Sequence, residues 1–340
     1  SLEFQRFYNS MDGKWSHTYS TSLDISQDGA TAKLTIPSGK ESYFTINNSI
    51  ATSTSGDRGI LSRKNNSWEY LSTSNEYYNF DINGKLTSQT NSNGITASLS
   101  YSLNSVTVTD SLGNSISYTL SNDQKITSLT TPNQNNTYTY TSSAQLTSAT
   151  KVFTSGTAIT TYHYEDSRDT TLLTGITDAS GQRHLTWTYD SKGRVTSEQI
   201  TGGGSTDIQY HNDGSTSVTN ASGKITRYQF EEIQGGRYVT EIIGEPSQNC
   251  PSSNSSFTYN EQALPLTKTN NKGFLTTYIY NSRGLETSRT EATGTVNTRT
   301  TTTAWHPTLF LPITITEPNR VTQYTYDAQG RQTGKSIDPL

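Results

Sequence analysis

One cysteine in 340 residues, Cys250, rules out an internal disulfide framework. It assigns the chain neither to the cytosol nor to the exterior. Charge is also sparse: 16% of residues are Asp, Glu, Lys or Arg, the net charge is −4 and no Lys/Arg cluster stands out. Binding to nucleic acid through phosphate neutralisation is therefore not expected. No apolar run is long enough for a helical membrane span, and no leader pattern is visible. The opening "SLEFQRFYNS" reads as an internal start, so the lack of a leader says little. Hydrophobic residues make up only 29% of the chain, below an ordinary globular domain. A composition this poor often means disorder, but 21 tyrosines with abundant threonine argue for strands. The expectation is a thin sheet with solvent on both sides.

What is present is repetition. "YDSKGRVTS" starts at Tyr189 and "YDAQGRQTG" at Tyr326, with weaker copies "FDINGKLTS" from Phe80 and "YNSRGLETS" from Tyr280. A second phrase, Thr-(Asp/Asn)-x-x-Gly, alternates with it, as in "TNSNG" from Thr90, "TDSLG" from Thr109, "TDASG" from Thr177, "TNASG" from Thr219 and "TNNKG" from Thr269. "TEATG" from Thr290 carries Glu, while "TPNQN" from Thr131 and "TEPNR" from Thr316 lose the glycine. The period is roughly 19–26 residues, which implies stacked supersecondary units. Each phrase has the chemistry of a turn: the aromatic ends a strand, Asp bonds forward to the backbone and Gly takes positive φ. Gly94 to Tyr101, Gly223 to Phe230 and Gly273 to Tyr280 enclose strand-length runs, so one repeat is two strands and two turns. The structural positions are Phe80, Asp81 and Gly84; Tyr189, Asp190, Gly193 and Arg194; Tyr280, Asn281 and Gly284; and Tyr326, Asp327, Gly330 and Arg331.

Tyr138 and Tyr140, Tyr162 and Tyr164, Trp187 and Tyr189, Tyr278 and Tyr280, and Tyr324 and Tyr326 each lie two apart, and so share one sheet face. No helical periodicity of useful length occurs. The fold is expected to be all-β: repeated antiparallel hairpins in one continuous, strongly curved sheet, an open coil around a cavity about 30–35 Å wide. Residues 1–75 form a less regular lead-in, and residues 76–340 form the array. Ile243–Ser256 and Thr298–Pro312 interrupt it, and "SIDPL" from Ser336 reads as a turn phrase cut before its glycine. Copies such as "YTSSAQLTS" from Tyr140, "YHNDGSTSV" from Tyr210 and the "FEEIQGG" region from Phe230 leave the local register open. The free terminal edge is expected to self-associate or to be covered by the first 75 residues.

No chemical site emerges. His17, His163, His184, His211 and His306 lack ligand spacing, and Cys250 has no histidine at motif distance. Asp81, Asp190 and Asp327 fit turn formation better than acid–base work. "TGGGS" at Thr201–Ser205 lacks the Lys-Ser/Thr and the helix of a phosphate cradle. No catalytic residue, cofactor or metal is assigned. Trp15, Trp68, Trp187 and Trp305 could stack on sugar rings or fill spaces between strands, and both readings stay open.

The Tyr-Asp-x-x-Gly-Arg phrases at Tyr189 and Tyr326, phased with the Thr-Asp-x-x-Gly phrases, resemble the Rhs/YD-repeat proteins. These include bacterial Rhs polymorphic toxins, the shell-forming subunit of Tc toxins and animal teneurins, and "FYNS…GKWSHTY" resembles their lead-in. The resemblance covers essentially the whole chain. It implies a β-strip that spirals into a hollow shell, exported or cell-surface, whose partners are other shell segments and an enclosed C-terminal toxin or cargo domain. The paired Asp-Pro-x-Gly end of a bacterial Rhs core is missing, which suggests a fragment of a larger shell. A non-enzymatic encapsulation module is the leading reading; the alternative is a surface adhesin or lectin-like module that binds glycans.

Overall fold

The computed structural model describes residues 2–47, 50–244 and 254–340. Cys250 and the middle of the Ile243–Ser256 loop lie outside the described residues. The chain is all-β. A lead hairpin, Arg6–Asn9 with Lys14–His17, stands apart. From Ser22–Ile25 to Gln332–Pro339 every strand pairs antiparallel with the next, in one long meander.

The strip winds rather than closing edge to edge. Its first strand returns to the turn after Phe80: Leu23 N–H donates to Gly84 O at 3.0 Å, and Ser22 bridges Lys85. Further on, loops of the early strands meet turns far along the chain. Arg58 Nη1 donates to Gly284 O at 3.0 Å, while Asn75 exchanges two bonds with the Phe310 main chain, at 3.1 and 2.8 Å. Gly94 lies against the Arg331 side chain. Both partners advance together along the sequence, as successive turns of a spiral require. The first circuit is tight, about seven strands, whereas the later one takes about twenty, roughly 100 Å of sheet at ~4.8 Å per strand, and so surrounds a space about 30 Å across.

The two faces differ. On one face, threonine hydroxyls pair across strands: Thr139 with Thr147 and Ser148, Thr188 with Thr196, Thr258 with Thr267, and Thr325 with Thr333, at 2.7 to 3.0 Å. The other face carries the aromatic and aliphatic residues. In the early strands it fills its own core, with Leu23, Leu34, Phe44, Leu61, Phe80 and Val108 almost fully buried. Beyond Leu146 few side chains are buried, and a smaller cluster of Leu71, Leu285, Leu309 and Phe310 sits on the seam between spiral turns.

Three expectations change in detail. The departing copies differ: in the Tyr140 copy Ala144 takes the turn at φ +70°, in the Tyr210 copy Gly214 does so at φ +82°, and at Phe230 the strand runs on to Ile233 and the turn falls at Gln234 and Gly235. "SIDPL" is not a turn; Asp338 pairs with Val321 and Pro339 with Arg320 inside the last strand. That strand is largely exposed, and among the described residues it pairs with one neighbour, with no strand of the first 75 residues paired to its edge.

Gly84 and Ala144 give a paired test. A methyl group on Gly84, at φ +82°, would overlap the Leu23 carbonyl. Gly84→Ala is expected to destabilise by at least about 2 kcal/mol, from left-handed strain plus the lost seam bond. Ala144→Gly should instead stabilise by about 0.5–1 kcal/mol, by relieving that strain. Chemical denaturation of both variants checks the opposite signs.

Candidate functional site: the repeat latch and the inner wall

The turn phrases behave as one unit. Asp190 Oδ1 accepts from Lys192 N at 2.8 Å and Arg194 N at 3.0 Å, while Gly193 N–H returns to Asp190 O at 3.1 Å. Asp81, Asn281 and Asp327 repeat this pattern with the N–H groups two and four residues on, at 2.9 to 3.0 Å. The arginine after the glycine forks back onto its own aspartate: Arg194 Nε–Asp190 is 2.8 Å and Arg331 Nε–Asp327 is 2.6 Å. The Arg331 N–H, more than its guanidinium, holds the Asp327 carboxyl below the usual carboxylate range. Glycines 84, 193, 284 and 330 all have positive φ.

The tyrosine does more than end a strand. Tyr189 O–H donates to Leu173 O, Tyr210 to Val195, Tyr280 to Pro265 and Tyr326 to Pro312, at 2.6 to 3.0 Å. Tyr101, Tyr140 and Tyr259 do the same to Leu86, Ile126 and Val239, at 2.6 to 2.7 Å. For Leu86, Ile126, Val195, Pro265 and Pro312 the acceptor is the first residue of the preceding strand, just past its turn; Leu173 lies two residues before that strand and Val239 inside it. Each phenol therefore latches one repeat to the one before it. Phe80 cannot donate; it is wholly buried in the early core instead. The basic residue after the glycine completes the join: Lys85 Nζ lies 3.6 Å from the Tyr101 ring centre and the Arg194 guanidinium 3.8 Å from Tyr210. The latch was missed in the sequence. Its signal was the preference for tyrosine over phenylalanine at a position whose ring alone would serve a strand end.

The lead hairpin lies against the aromatic face. Arg6 sits 4.6 Å from the Tyr138 ring centre, 5.6 Å from Trp15 and 5.8 Å from Tyr140, and Nη2 donates to Tyr140 Oη at 3.1 Å. Among the described residues no carboxylate pairs with it, and its Nε and Nη1 are buried without partners. Tyr8 O–H donates to Thr171 O at 2.6 Å and accepts from Leu173 N at 3.1 Å. Trp15 stands edge-on to Tyr162 and donates to Tyr164 Oη at 2.8 Å. His17 stacks on Phe4 and meets Tyr118 edge-on. The hairpin marks this face as the inner one, and no repeat phrase announced it.

The remaining candidates are structural. His163 Nε2 and Thr177 Oγ1 are 2.7 Å apart, and His211 Nε2 and Ser217 Oγ are 2.8 Å apart, each across strands. The first pair, with Glu165 at 3.6 Å from His163 Nδ1, has the outline of a hydroxyl–imidazole–carboxylate set. It lies on sheet where the His163–Gly175 and Thr161–Thr177 ladder uses the main chain, and offers no donor pair for an oxyanion. His306 Nδ1 accepts from Leu309 N–H at 3.1 Å in the irregular loop, where Arg283 also gathers the carbonyls of residues 306–309. Among the described residues no group of three His, Cys, Asp or Glu could hold a metal. Trp68 is buried, Trp187 Nε1 donates to Glu198 at 2.9 Å, and Trp305 Nε1 donates to Glu286 O at 2.8 Å.

Two variants test the wall. Tyr210→Phe removes one latch and keeps the ring; a loss of about 1 kcal/mol is expected in denaturant titration. Burial, helped by the Arg6 charge, pushes His17 down to about 4. The unfolded chain then takes up a proton below its ordinary value near 6.5, which the folded chain refuses. His17's share of stability is therefore complete above pH ~6.5 and falls by up to about 3 kcal/mol as pH drops toward 4. His17→Phe should flatten that fall; an unchanged pH profile would place the acid sensitivity elsewhere.

The family model of the teneurin YD-shell matches residues 61–217. No curated protein matches. Among solved structures, TcdB2-TccC3-Cdc42 is 12% identical, with a TM-score of 0.43, over 95% of this chain and 18% of that one. TcdB2-TccC3 is 11% identical, with a TM-score of 0.42, over 94% and 19%. A Photorhabdus luminescens Tc holotoxin pore is 12% identical, with a TM-score of 0.41, over 96% and 19%. The chain thus spans less than a fifth of the length of these solved chains. The match over residues 61–217, together with the phased phrases and the turn chemistry, supports a structural β-shell module similar to the Rhs/YD-repeat proteins.

Proposed function

We propose that this module forms part of the wall of an exported shell that encloses another polypeptide, such as a toxin domain, and has no chemistry of its own. The observation that carries this reading is the difference between the faces: hydroxyls outside, and an aromatic inner face continuous from the early core to the last strand. Such a wall keeps macromolecules apart by continuity of backbone pairing, and its Asp, Gly and Tyr side chains are spent on turns and latches. The adhesin alternative lacks a platform of several tryptophans, because Trp15 belongs to the lead hairpin and packs edge-on to Tyr162, Trp68 is buried, and Trp305 is tied through its indole N–H, which leaves the Trp187 ring by itself.

The test joins the chain to its neighbouring shell segments and cargo and measures protease resistance of the cargo. Protection is expected, and is expected to be lost with Gly84→Ala at temperatures where that variant loosens. The chain alone should show no hydrolase, nuclease or transferase turnover. Turnover abolished by one Asp, His or Cys substitution would overturn the reading, and micromolar binding on a glycan array would favour the adhesin.

A further inference from the structure

The paired aromatics two residues apart divide the work between them. In four of the five pairs the second member is the latch, its O–H consumed by a main-chain carbonyl, while Tyr164 instead accepts from the Trp15 indole. The first has its ring on the same face and is not used in holding the repeats together. Under the lead hairpin this first row is Tyr138 and Tyr162, and there it receives Arg6 and Trp15. The row continues past the hairpin as Trp187, Tyr228 and Tyr278. These three are half-buried, on the same face by strand register, and Tyr228 and Tyr278 have no hydrogen-bond partner for their hydroxyls among the described residues.

The surface is thus a continuation of an interface already filled once, and the filled part shows what it accepts. Arg6 is held by three ring faces and one phenol oxygen, without a carboxylate. A guanidinium tolerates this because it is planar and weakly hydrated, whereas a lysine ammonium is a compact, strongly hydrated charge. At its Trp187 end the vacant part adds a carboxylate, while at its far end Arg289 stands opposite Tyr278. Glu198 is held 2.9 Å from the Trp187 indole nitrogen and has no ion-pair partner among the described residues, so a cation over Trp187 would meet an aromatic face and a carboxylate together.

We propose that the inner face from Trp187 to Tyr278 is a docking surface for an arginine-bearing extended polypeptide, held as the lead hairpin is held on the strands before it. This rests on the enclosure reading and names what the wall recognises in its cargo: arginine beside aromatic residues in an unfolded or hairpin segment.

The probe is a dye-labelled peptide with the sequence of residues 1–19, titrated against the full chain and followed by fluorescence anisotropy. Saturable binding is expected, weakened about tenfold when the peptide carries Arg6→Lys. Glu198→Gln and Tyr228→Leu in the chain should each weaken it too, with thermal melts confirming that both variants fold. Equal affinity for the arginine and lysine peptides, or no saturable binding, overturns the proposal. So does sensitivity to Tyr162→Leu alone, which would mean that the peptide merely replaces the chain's own hairpin. Cargo protected in the assembled shell whatever its arginines would overturn this inference and leave the enclosure reading intact. Loss of all protection with arginine-selective peptide binding retained would do the reverse.

Discussion

A sheet one layer thick has no second layer to hold its strands in place, so each hairpin must be fastened to its neighbour. The phenol-to-carbonyl bond that recurs at seven strand ends supplies that fastening. It satisfies a carbonyl just beyond the turn, where the ladder has given out, and fixes the distance between one repeat and the next. The cation above the next ring and the carboxylate inside the turn act on the same few atoms. Around Asp190, Arg194 and Tyr210 a single guanidinium serves both its own turn and the following latch.

The early and late strands solve burial differently. Up to Leu146 the strip curls tightly enough for opposite strands to share one apolar core, with Phe44 and Phe80 inside it. Past that point the curve opens, and stability rests on ladder bonds, threonine pairs and latches. The seam then holds one spiral turn against the next. Asp57 anchors it, bonded by Ser42, Gly59 N–H and Tyr70 at 2.6 to 2.9 Å. Burial pushes that carboxyl up, but the hydrogen bonds and Lys40 together hold it below the ordinary range. Next to it in sequence, Arg58 reaches across to Gly284.

Much of the local structure was legible because it is written in neighbouring residues. Asp four residues ahead of Arg with glycine between can only be satisfied as a turn, and Tyr-x-Tyr alternation assigns a face. The long-range part was not legible. Gly84 reads as a turn glycine like Gly193; nothing near it says that the Leu23 carbonyl will press on it from a strand some sixty residues earlier. Arg6 has no partner acid among the described residues, so charge patterning could not place it, and the cage around it joins Trp15 of its own hairpin to tyrosines more than a hundred residues later. Ala144 shows the opposite failure: a missing glycine left the register open, but neighbouring hairpins impose the turn regardless.

The seam contacts also fix how such a wall can grow. Arg58 with Gly284, Asn75 with Phe310 and Gly94 with Arg331 are separated by nearly equal lengths of chain. After the tight first circuit that brings Gly84 back to Leu23, a screw that held this later circumference would keep one bore, set by the tilt and twist of its strands rather than by their number. Further repeats added by duplication would therefore lengthen the tube along its axis without widening it. Capacity in a protein built this way scales in proportion to gene length, while the calibre of whatever it holds stays fixed.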